Sequence, residues 1–335
     1  MSTASAGMKR CLAVLAAAIC AAASVHAAAP PAQMQAIVQN SAGLSLQTVQ
    51  TPKAGAGQVL VKVYAAGVNP VDWKRQPPVP GFDAAGVVEA LGPDVTTFKV
   101  GEPVVARVAG GYAQYALAQV EDVTPKPKAF TYEQASGMPV AGVAGFRAAT
   151  EVKIKPGQRV AVIGAAGGAG STAVQVAKSL GAQVVGVGHS SQREYLTGLG
   201  VAEFVAYDKD DVAARVSGMD AVLNMVEGQA AAALGYLRRG GTLASIAGGA
   251  PEDSRCRSAG VTCMFIGGGS GAGYSSISNA QALAGLSKLA DAGQYQVLVS
   301  KTFPLAQAAA AQQLNRTSDT VGKIVLVVDP QAGQR

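Results

Sequence analysis

Short apolar runs separated by turn residues mark the first part of the chain after residue 33. The run Val59–Val63 (VLVKV) alternates or is β-branched, as in a half-buried strand. Glycine pairs such as Gly110-Gly111 punctuate the region as turns do. We therefore predict a small, mostly antiparallel β domain over residues 34–128. Further strands are expected at 36–38, 86–90, 103–108 and 112–117.

From Tyr132 to about Gly249 the pattern changes to helix-like and strand-like stretches in alternation. This order is typical of a parallel sheet whose strands are joined by helices. The fold class is therefore α/β, with a Rossmann-type, doubly wound parallel sheet in residues 129–273. Its strands are expected at 160–164, 183–187, 203–206, 220–223 and 242–246. Two helices near 279–292 and 305–314 and a strand at 323–328 are expected after it.

One stretch, Val160–Lys178, combines a buried strand, a glycine turn and the start of a helix. Its pattern A-x-G-x-x-G has alanine in place of the first glycine of the dinucleotide-binding fingerprint. A helix that begins directly after such a turn directs unpaired N–H groups at a pyrophosphate. The alternative is a turn that only lets the helix pack closely against the strand. Cofactor contacts are expected at Ala165, Gly167, Gly168, Ala169 and Gly170.

The residues after the second strand indicate which cofactor is used. An acidic side chain there binds the ribose hydroxyl of NAD, whereas a 2′-phosphate requires small polar and basic groups. This chain has Ser190, Ser191 and Arg193, and no carboxylate before Glu194. These residues favour NADPH, because a guanidinium donates to phosphate through a fixed fork. The alternative is that Ser190 caps the next helix and Arg193 is solvated.

Length and composition narrow the class of protein. A chain of 335 residues with 49% hydrophobic and 14% charged residues indicates a well-packed protein of two domains. The net charge of +6 is not concentrated in a basic block, so nucleic-acid binding is not expected. After residue 29 the chain has one histidine, His189, and two cysteines, Cys256 and Cys263. This set excludes a four-ligand Cys/His zinc site and disfavours a Ser-His-Asp hydrolase, and leaves open whether the cysteines are paired.

The first 29 residues have the pattern of a secretory signal peptide. Lys9 and Arg10 precede an apolar run over 12–23, and cleavage is expected after residue 27 or 29. The run is too short for a stable membrane span. Export to the periplasm is therefore predicted, and a cytoplasmic chain is the alternative. The segment contains no twin-arginine pair, which would indicate export of a folded protein. The source of NADPH for an exported chain is therefore left open.

Seven segments of the chain match one known superfamily in order. They include GQVLVKVYAAGVNPVDWK, GGYAQYALA and IKPGQRVAVIGAAGGAGSTAVQVAKSLGAQVVG. Together they resemble the medium-chain dehydrogenase/reductase superfamily, in its zinc-free quinone oxidoreductase branch, which is similar to zeta-crystallin. The seven segments begin with MQAIVQ and continue at 57–74, 79–104, 110–118, 154–186, 240–248 and 303–328.

The resemblance implies a two-domain architecture without metal. The β domain (34–128) would be GroES-like and completed by about 274–329, with the cofactor in the cleft between it and the NADPH-binding domain. Zinc-dependent members carry a cysteine just before the Asn69 region and a His-Glu pair where this chain has Phe82-Asp83. No metal site is therefore expected.

The resemblance also implies roles for individual residues. Asn69 would lie beside the nicotinamide and the substrate. Lys74 stands where many quinone reductases have tyrosine, and it would stabilise or protonate the acceptor oxygen, with a pKa lowered by an apolar cleft. Arg193 would contact the 2′-phosphate and Tyr207 would pack at the adenine-ribose end. The alternatives are a solvated lysine, an asparagine that satisfies a turn, and an ordinary surface tyrosine.

These observations predict an NADPH-dependent, metal-independent reductase that transfers hydride to quinones or α,β-unsaturated carbonyls. The partners expected are a small-molecule substrate and NADPH, and a homodimer is an assembly that the sequence allows. The alternative is a non-catalytic NADPH-binding or sensing protein of the same fold. That alternative is motivated by the short link between Arg75 and Pro77, where relatives insert a longer loop beside the active site.

Overall fold

The computed structural model describes residues 29–267, 275–317 and 320–330, so the predicted signal segment lies outside the described residues except for Ala29. The strands are β1 (Gln33–Asn40), β2 (Gly43–Gln50), β3 (Gln58–Gly67), β4 (Asp83–Leu91), β5 (Pro103–Arg107), β6 (Tyr115–Gln119), β7 (Val123–Pro125), β8 (Arg159–Ile163), β9 (Gln183–Gly188), β10 (Glu203–Ala206), β11 (Met219–Asn224), β12 (Leu237–Ser245), β13 (Thr262–Phe265), β14 (Val299–Pro304) and β15 (Lys323–Val327). The helices are α1 (Pro70–Lys74), α2 (Tyr132–Ala135), α3 (Val143–Glu151), α4 (Gly168–Ser179), α5 (Arg193–Leu199), α6 (Val212–Arg215), α7 (Ala230–Ala233), α8 (Asp253–Ala259), α9 (Asn279–Asp291) and α10 (Ala308–Arg316).

The strands β8 to β13 form one six-stranded sheet in the order β10-β9-β8-β11-β12-β13. All of its pairs are parallel, as the alternation of helices and strands predicts. Val160 and Val162 of β8 face one hydrophobic cluster, whereas Ala161 and Ile163 face another on the opposite side. The strand order reverses between β8 and β11, and in open α/β sheets ligands bind outside the carboxyl ends of the strands at such a point. The Rossmann-type fold is confirmed.

The second large sheet has seven strands, in the order β14-β15-β3-β4-β5-β7, with β6 also paired to β3. Its pairs are antiparallel except for β14 with β15, and β1 and β2 form a separate antiparallel hairpin. The predicted mostly antiparallel, GroES-like β domain is thus confirmed. The C-terminal strand β15 pairs with β3, so the end of the chain completes this sheet.

Helix α9 behaves differently from the rest of the segment that was expected to complete the β domain. Its Leu283 and Leu286 are fully buried in the cluster that contains Val174 of α4 and Ala148 of α3. Among the described residues of that segment, β14, Leu305, α10 and β15 join the β sheet or its core.

Cys256 and Cys263 form a disulfide with their Cα atoms 6.1 Å apart. The bond joins α8 to the following edge strand, β13. None of the helices in the described residues combines the length and the hydropathy needed to cross a membrane.

Candidate active site

The glycine turn lies at the point where the strand order of the parallel sheet reverses. The chain leaves β8 through Gly164, whose φ of +74° favours glycine, and enters α4 at Gly168. No side chain of the described residues caps the start of α4, so its first N–H groups are available to an anion. The turn therefore fits the pyrophosphate of a dinucleotide.

The glycines of the turn occupy their positions for different physical reasons. A Cβ on Gly170 would overlap the carbonyl oxygen of Gly164, so Gly170 permits close packing of the helix on the strand. A Cβ on Gly167 would meet nothing closer than 3.7 Å, so the space above it is open. Ala165 is fully buried beneath the turn, and Ala169 is half-buried. Packing and anion binding thus rest on separate residues of the same pattern.

The β domain reaches the glycine turn through its C-terminal strand. The N–H of Gly322 donates to the carbonyl of Ala166 at 2.8 Å. A Cβ on Gly168 would lie 2.7 Å from Cδ of Lys323, so the lysine stem lies directly against the turn. The two domains therefore meet at the place where the cofactor phosphates are expected.

A carboxylate lies beside the end of the second strand of the parallel sheet, where the sequence pattern indicated none. Asp208 follows β10, and its carboxylate accepts from Ser190 N and from Ser190 Oγ, both at 2.7 Å. It also lies 3.5 Å from His189 Nε2. Desolvation opposes ionisation of Asp208, but the two bonds from Ser190 and the nearby His189 hold its pKa below the ordinary value. The prediction of a non-acidic site holds for the sequence after β9 but not for the folded site.

The other residues predicted at the adenosine end are exposed around this carboxylate. Ser191 Oγ lies 2.8 Å from His189 Nδ1, and the Tyr207 ring, 52% exposed, packs edge-on against His189 with centroids 5.8 Å apart. The Arg193 guanidinium lies over the Phe204 ring at 4.6 Å. The fold therefore gathers all four predicted residues, together with His189 and Asp208, at the carboxyl ends of β9 and β10.

Asn69 lies in a buried network of the β domain. Its Nδ2 donates to Asp83 Oδ2 at 2.7 Å and to the Gly67 carbonyl at 3.3 Å, and its Oδ1 accepts from Lys323 Nζ. The residue is only 2% exposed. Both N–H groups of the amide are thus occupied within the β domain. The position of Asn69 beside the nicotinamide and the substrate stays a prediction.

Lys323, which was not among the predicted site residues, supplies the cation of this network. Its Nζ donates to the Val68 carbonyl at 2.9 Å and lies 3.7 Å from Asp83 Oδ2. Asp83 also accepts from Val140 N at 2.8 Å. Desolvation raises the pKa of Asp83 and lowers that of Lys323, although each charge partly opposes the shift of the other. No motif near Lys323 suggested this role, because the pairing of β15 with β3 creates it.

A second buried carboxylate continues the network into α1. Asp72 Oδ2 accepts from the backbone N of Asn69 and from Tyr112 OH, both at 2.8 Å, while Asp72 Oδ1 has no hydrogen-bond partner in the described part of the chain. Desolvation and the neighbouring Asp83 raise the pKa of Asp72 to about 7. Asp72 therefore fixes the start of α1, the helix that ends at Lys74.

Lys74 reaches from the β domain to the parallel sheet. Its Nζ lies 2.7 Å from Glu227 Oε2, and the two side chains are 57% and 65% exposed. Glu227 follows β11 at the switch point, and the hydrogen bond and charge of Lys74 hold its pKa below the ordinary value. The prediction that Lys74 faces an apolar cleft is therefore wrong, since the side chain is exposed and paired with a carboxylate.

The short link after Lys74 is a tight turn. Gln76 has a φ of +47°, a left-handed conformation that is uncommon for residues other than glycine. The link places Arg75 at the side of the Phe82 ring, with the guanidinium 5.9 Å from the ring centre. Because the link is short, the Arg75 side chain lies at this edge of the site.

The positions of the zinc ligands of zinc-dependent relatives hold other chemistry here. Gly67 leaves room for the Asp83 carboxylate, and the Lys323 ammonium lies 3.7 Å from that carboxylate. In the described part of the chain, no group of three or more His, Cys, Asp or Glu side chains is placed to hold a metal ion.

Comparison with known proteins assigns the family. Residues 55–128 match the alcohol dehydrogenase GroES-like domain, and residues 199–326 match the zinc-binding dehydrogenase family. The chain belongs to the medium-chain dehydrogenase/reductase superfamily, in its quinone oxidoreductase branch. It is an oxidoreductase.

Individual relatives are similar at modest identity. The NADPH-dependent alkenal/one oxidoreductase of Arabidopsis thaliana is 27% identical over 90% of this chain and 81% of its own length. The quinone oxidoreductase of Lama guanicoe is 29% identical over 85% of this chain and 93% of its own. Several other curated quinone oxidoreductases match over about half of their length. A mycobacterial protein solved in complex with NADPH superimposes with a TM-score of 0.78 and 27% identity, covering 88% of this chain and 100% of its own.

Proposed function

We propose that this protein is an NADPH-dependent reductase of quinones or α,β-unsaturated carbonyls that uses no metal. One observation carries the proposal: Lys74 of the β domain reaches the carboxyl edge of the parallel sheet, where the uncapped glycine turn also lies. A cationic side chain and a dinucleotide site therefore share one edge of the fold. The names of the similar proteins support the same acceptors.

When bound, NADPH supplies a hydride from C4 of its nicotinamide. The chain must then stabilise negative charge that develops on the acceptor oxygen, and a preorganised donor typically accelerates such a step by about 10²- to 10³-fold. Lys74 is the donor we assign to this oxygen, with Glu227 holding its ammonium in place until the acceptor enters. Asn69 and Asp72 act as positioning residues, because they fix the start of the helix that carries Lys74.

The preference for NADPH over NADH rests on Ser190, Ser191 and Arg193. Arg193 lies on the surface above Phe204, from which its fork can turn toward a 2′-phosphate. Asp208 acts against this preference, because its carboxylate occupies both donors of Ser190. NADPH binding requires Ser190 to exchange this partner, so we expect a smaller preference than the sequence pattern alone suggests.

The absence of zinc is part of the proposal. Asp83 has a buried ammonium 3.7 Å away and a backbone N–H bound to its other oxygen, so its lone pairs already have partners. Elemental analysis of the purified protein tests this: less than a tenth of an equivalent of zinc per chain is expected. Zinc that is bound at one equivalent per chain and is required for activity contradicts the proposal that the protein uses no metal.

Export is proposed on separate grounds. The Cys256–Cys263 disulfide supports an oxidising compartment, where such bonds persist. The signal pattern before residue 30 supports the same compartment. Fractionation with N-terminal sequencing of the mature protein tests the proposal, and a cytoplasmic chain that begins at or before Met8 contradicts it.

The reductase assignment is tested by following NADPH absorbance under anaerobic conditions with 1,4-naphthoquinone, 1,4-benzoquinone and trans-2-hexenal. Oxidation of NADPH with at least one of them is expected. The second candidate function, an NADPH-binding sensor, is favoured by the Lys74–Glu227 pair, which occupies the proposed donor. Tight NADPH binding without turnover of any acceptor supports the sensor and contradicts the reductase.

A further inference from the structure

A small cavity at the domain boundary has an unusual lining. Its volume is about 100 Å³, enough for a group the size of a carboxylate. One wall is apolar and includes Val71 of α1 and Val143 of α3. The rest of the lining brings together three arginines from separate elements, Arg75, Arg107 and Arg147.

The three guanidinium groups have no ion-pair partner among the described residues. Arg75 and Arg107 both lie beside the Phe82 ring, at 5.9 and 6.0 Å from its centre. Arg147 donates through Nε to the Ile277 carbonyl at 2.8 Å, and that bond directs the group. Elsewhere on this protein, arginines such as Arg215 and Arg238 bind carboxylates directly.

The carboxylates whose charges act on these arginines are Glu151, Asp122 and Asp83, and all three have other partners; Asp83 accepts from Asn69 and Val140. Glu151 accepts from Ser275 and Ser276, and Asp122 accepts from Asn279. Burial and the charge of Arg107 lower the pKa of Arg147, and Glu151 and Asp122 only partly compensate. Like charges that share a cavity without a counter-ion repel each other, and a bound anion relieves that repulsion.

The position of the cavity points to the acceptor rather than to the cofactor. No residue of the glycine turn lines it. Val71 is one residue from buried Asp72 and three from Lys74, and Ile266 follows β13 at the carboxyl edge of the parallel sheet. The cavity therefore adjoins the helix that carries the proposed donor.

We infer that Arg75, Arg107 and Arg147 bind an anionic substituent of the acceptor, so that the preferred substrates are quinones or enones that carry a carboxylate or sulfonate. The inference rests on the proposed function for its reaction, but the anion site itself does not. Guanidinium groups bind such oxyanions through paired, charge-assisted hydrogen bonds. The apolar wall would contact the carbon skeleton beside the charge.

The turnover test compares 1,4-naphthoquinone-2-sulfonate with 1,4-naphthoquinone in wild type, Arg107→Gln and Arg75→Gln. In each variant kcat/KM for the sulfonate should fall roughly tenfold or more, while that for the neutral quinone changes less than about twofold. Arg316→Gln is the matched control, because Arg316 also lies over an aromatic ring, that of Trp73 at 5.4 Å, but outside the cavity. Equal losses for both quinones, or no loss for either, overturn the inference.

A binding test separates this inference from the reductase assignment. Calorimetric titration with 2-naphthalenesulfonate and with its neutral analogue 2-naphthalenesulfonamide needs no turnover. We expect the sulfonate to bind wild type and Arg316→Gln, and to bind Arg107→Gln roughly tenfold more weakly. If the sulfonate binds in this way but no quinone is reduced, the reductase assignment fails and the anion site stands. If the sulfonate and the sulfonamide bind alike, or the sulfonate does not bind, the anion site is overturned.

Discussion

Two lysines near the site, Lys323 and Lys74, show how burial changes what the same side chain does. Lys323 is 4% exposed, and its ammonium contacts Val68, Asn69 and Asp83 within the β domain. Lys74 is exposed and pairs with one carboxylate of the other domain. A buried charge can leave its partners only at a high energetic cost, whereas an exposed pair exchanges readily with water or a ligand. The buried lysine therefore suits structure, and the exposed lysine suits chemistry.

The largest effect is expected for Lys323→Met. The variant leaves Asp83 and Asp72 buried without their cation, and breaking such a network typically costs about 3–5 kcal/mol of unfolding free energy. Urea unfolding followed by circular dichroism measures the loss. Lys301→Met, which removes an exposed lysine of β14, is the control and should leave stability unchanged. A Lys323→Met protein as stable as the control contradicts the role of the network.

The pH dependence of stability tests the same network from its carboxylate side. Asp72 keeps its proton up to about pH 7 in the folded protein, whereas an ordinary aspartate releases it near 3.8. The folded state therefore binds more protons between these two values, and the unfolding free energy must fall as pH rises from about 4 to 7.

Asp72→Asn removes this titration and keeps an oxygen acceptor for Asn69 and Tyr112. Wild type and variant should be similarly stable at pH 4, and the variant should be more stable by up to a few kcal/mol at pH 8. Urea unfolding at both pH values measures the difference. Asp94→Asn, at an exposed turn, is the control, and a constant difference between Asp72→Asn and wild type from pH 4 to 8 contradicts the assignment.

Lys74→Met should show the opposite behaviour to Lys323→Met. The melting temperature should stay within experimental error, because the lost ion pair is exposed. The value of kcat with 1,4-naphthoquinone should fall about 100-fold, the usual contribution of a positioned proton donor. Lys301→Met again serves as the control. Unchanged kcat in Lys74→Met would remove Lys74 from the mechanism and leave the reductase assignment without its donor.

The smallest effect is expected at the adenosine end, where Asp208 is another exposed charge with a ligand-like role. Asp208→Asn removes the negative charge that competes with a 2′-phosphate for Ser190. The ratio of kcat/KM for NADPH to that for NADH should rise about tenfold. Asp211→Asn is the control, because asparagine also caps a helix well and Asp211 caps α6 nearby. Equal ratios in both variants show that Asp208 does not select the cofactor.

The elements that the pattern predicted are those with a buried face. The strands β8 to β12 and β15 were predicted because their apolar residues are packed on one or both sides. The strands β2, β7, β13 and β14 were missed. β2 and β14 are largely exposed, β7 and β13 have only three and four residues, and β7, β13 and β14 lie at sheet edges. An edge strand carries little hydrophobic signal, because half of its surroundings is water.

The candidate site likewise contains residues that the sequence predicted and residues that it did not. The glycine turn was predicted because its backbone conformation requires particular residues in one short segment. Lys323, Asp208 and the three cavity arginines were not, because each gains its role from partners far away in the chain. Asp208 had one available signal: in a sheet of this order the ends of β9 and β10 are neighbours, so a carboxylate after β10 lies beside Ser190.

The sequence by itself determined the fold class, the dinucleotide turn and the family, since each depends on local spacing or on residue order. Only the tertiary structure decided that Asn69 is enclosed by charges and that Lys74 is exposed. It also decided that Asp208 stands where a phosphate was expected. Burial and charge pairing depend on which strands become neighbours, and β15 reaches β3 from more than 250 residues away. Such contacts set the pKa of a side chain, and the residue type alone does not.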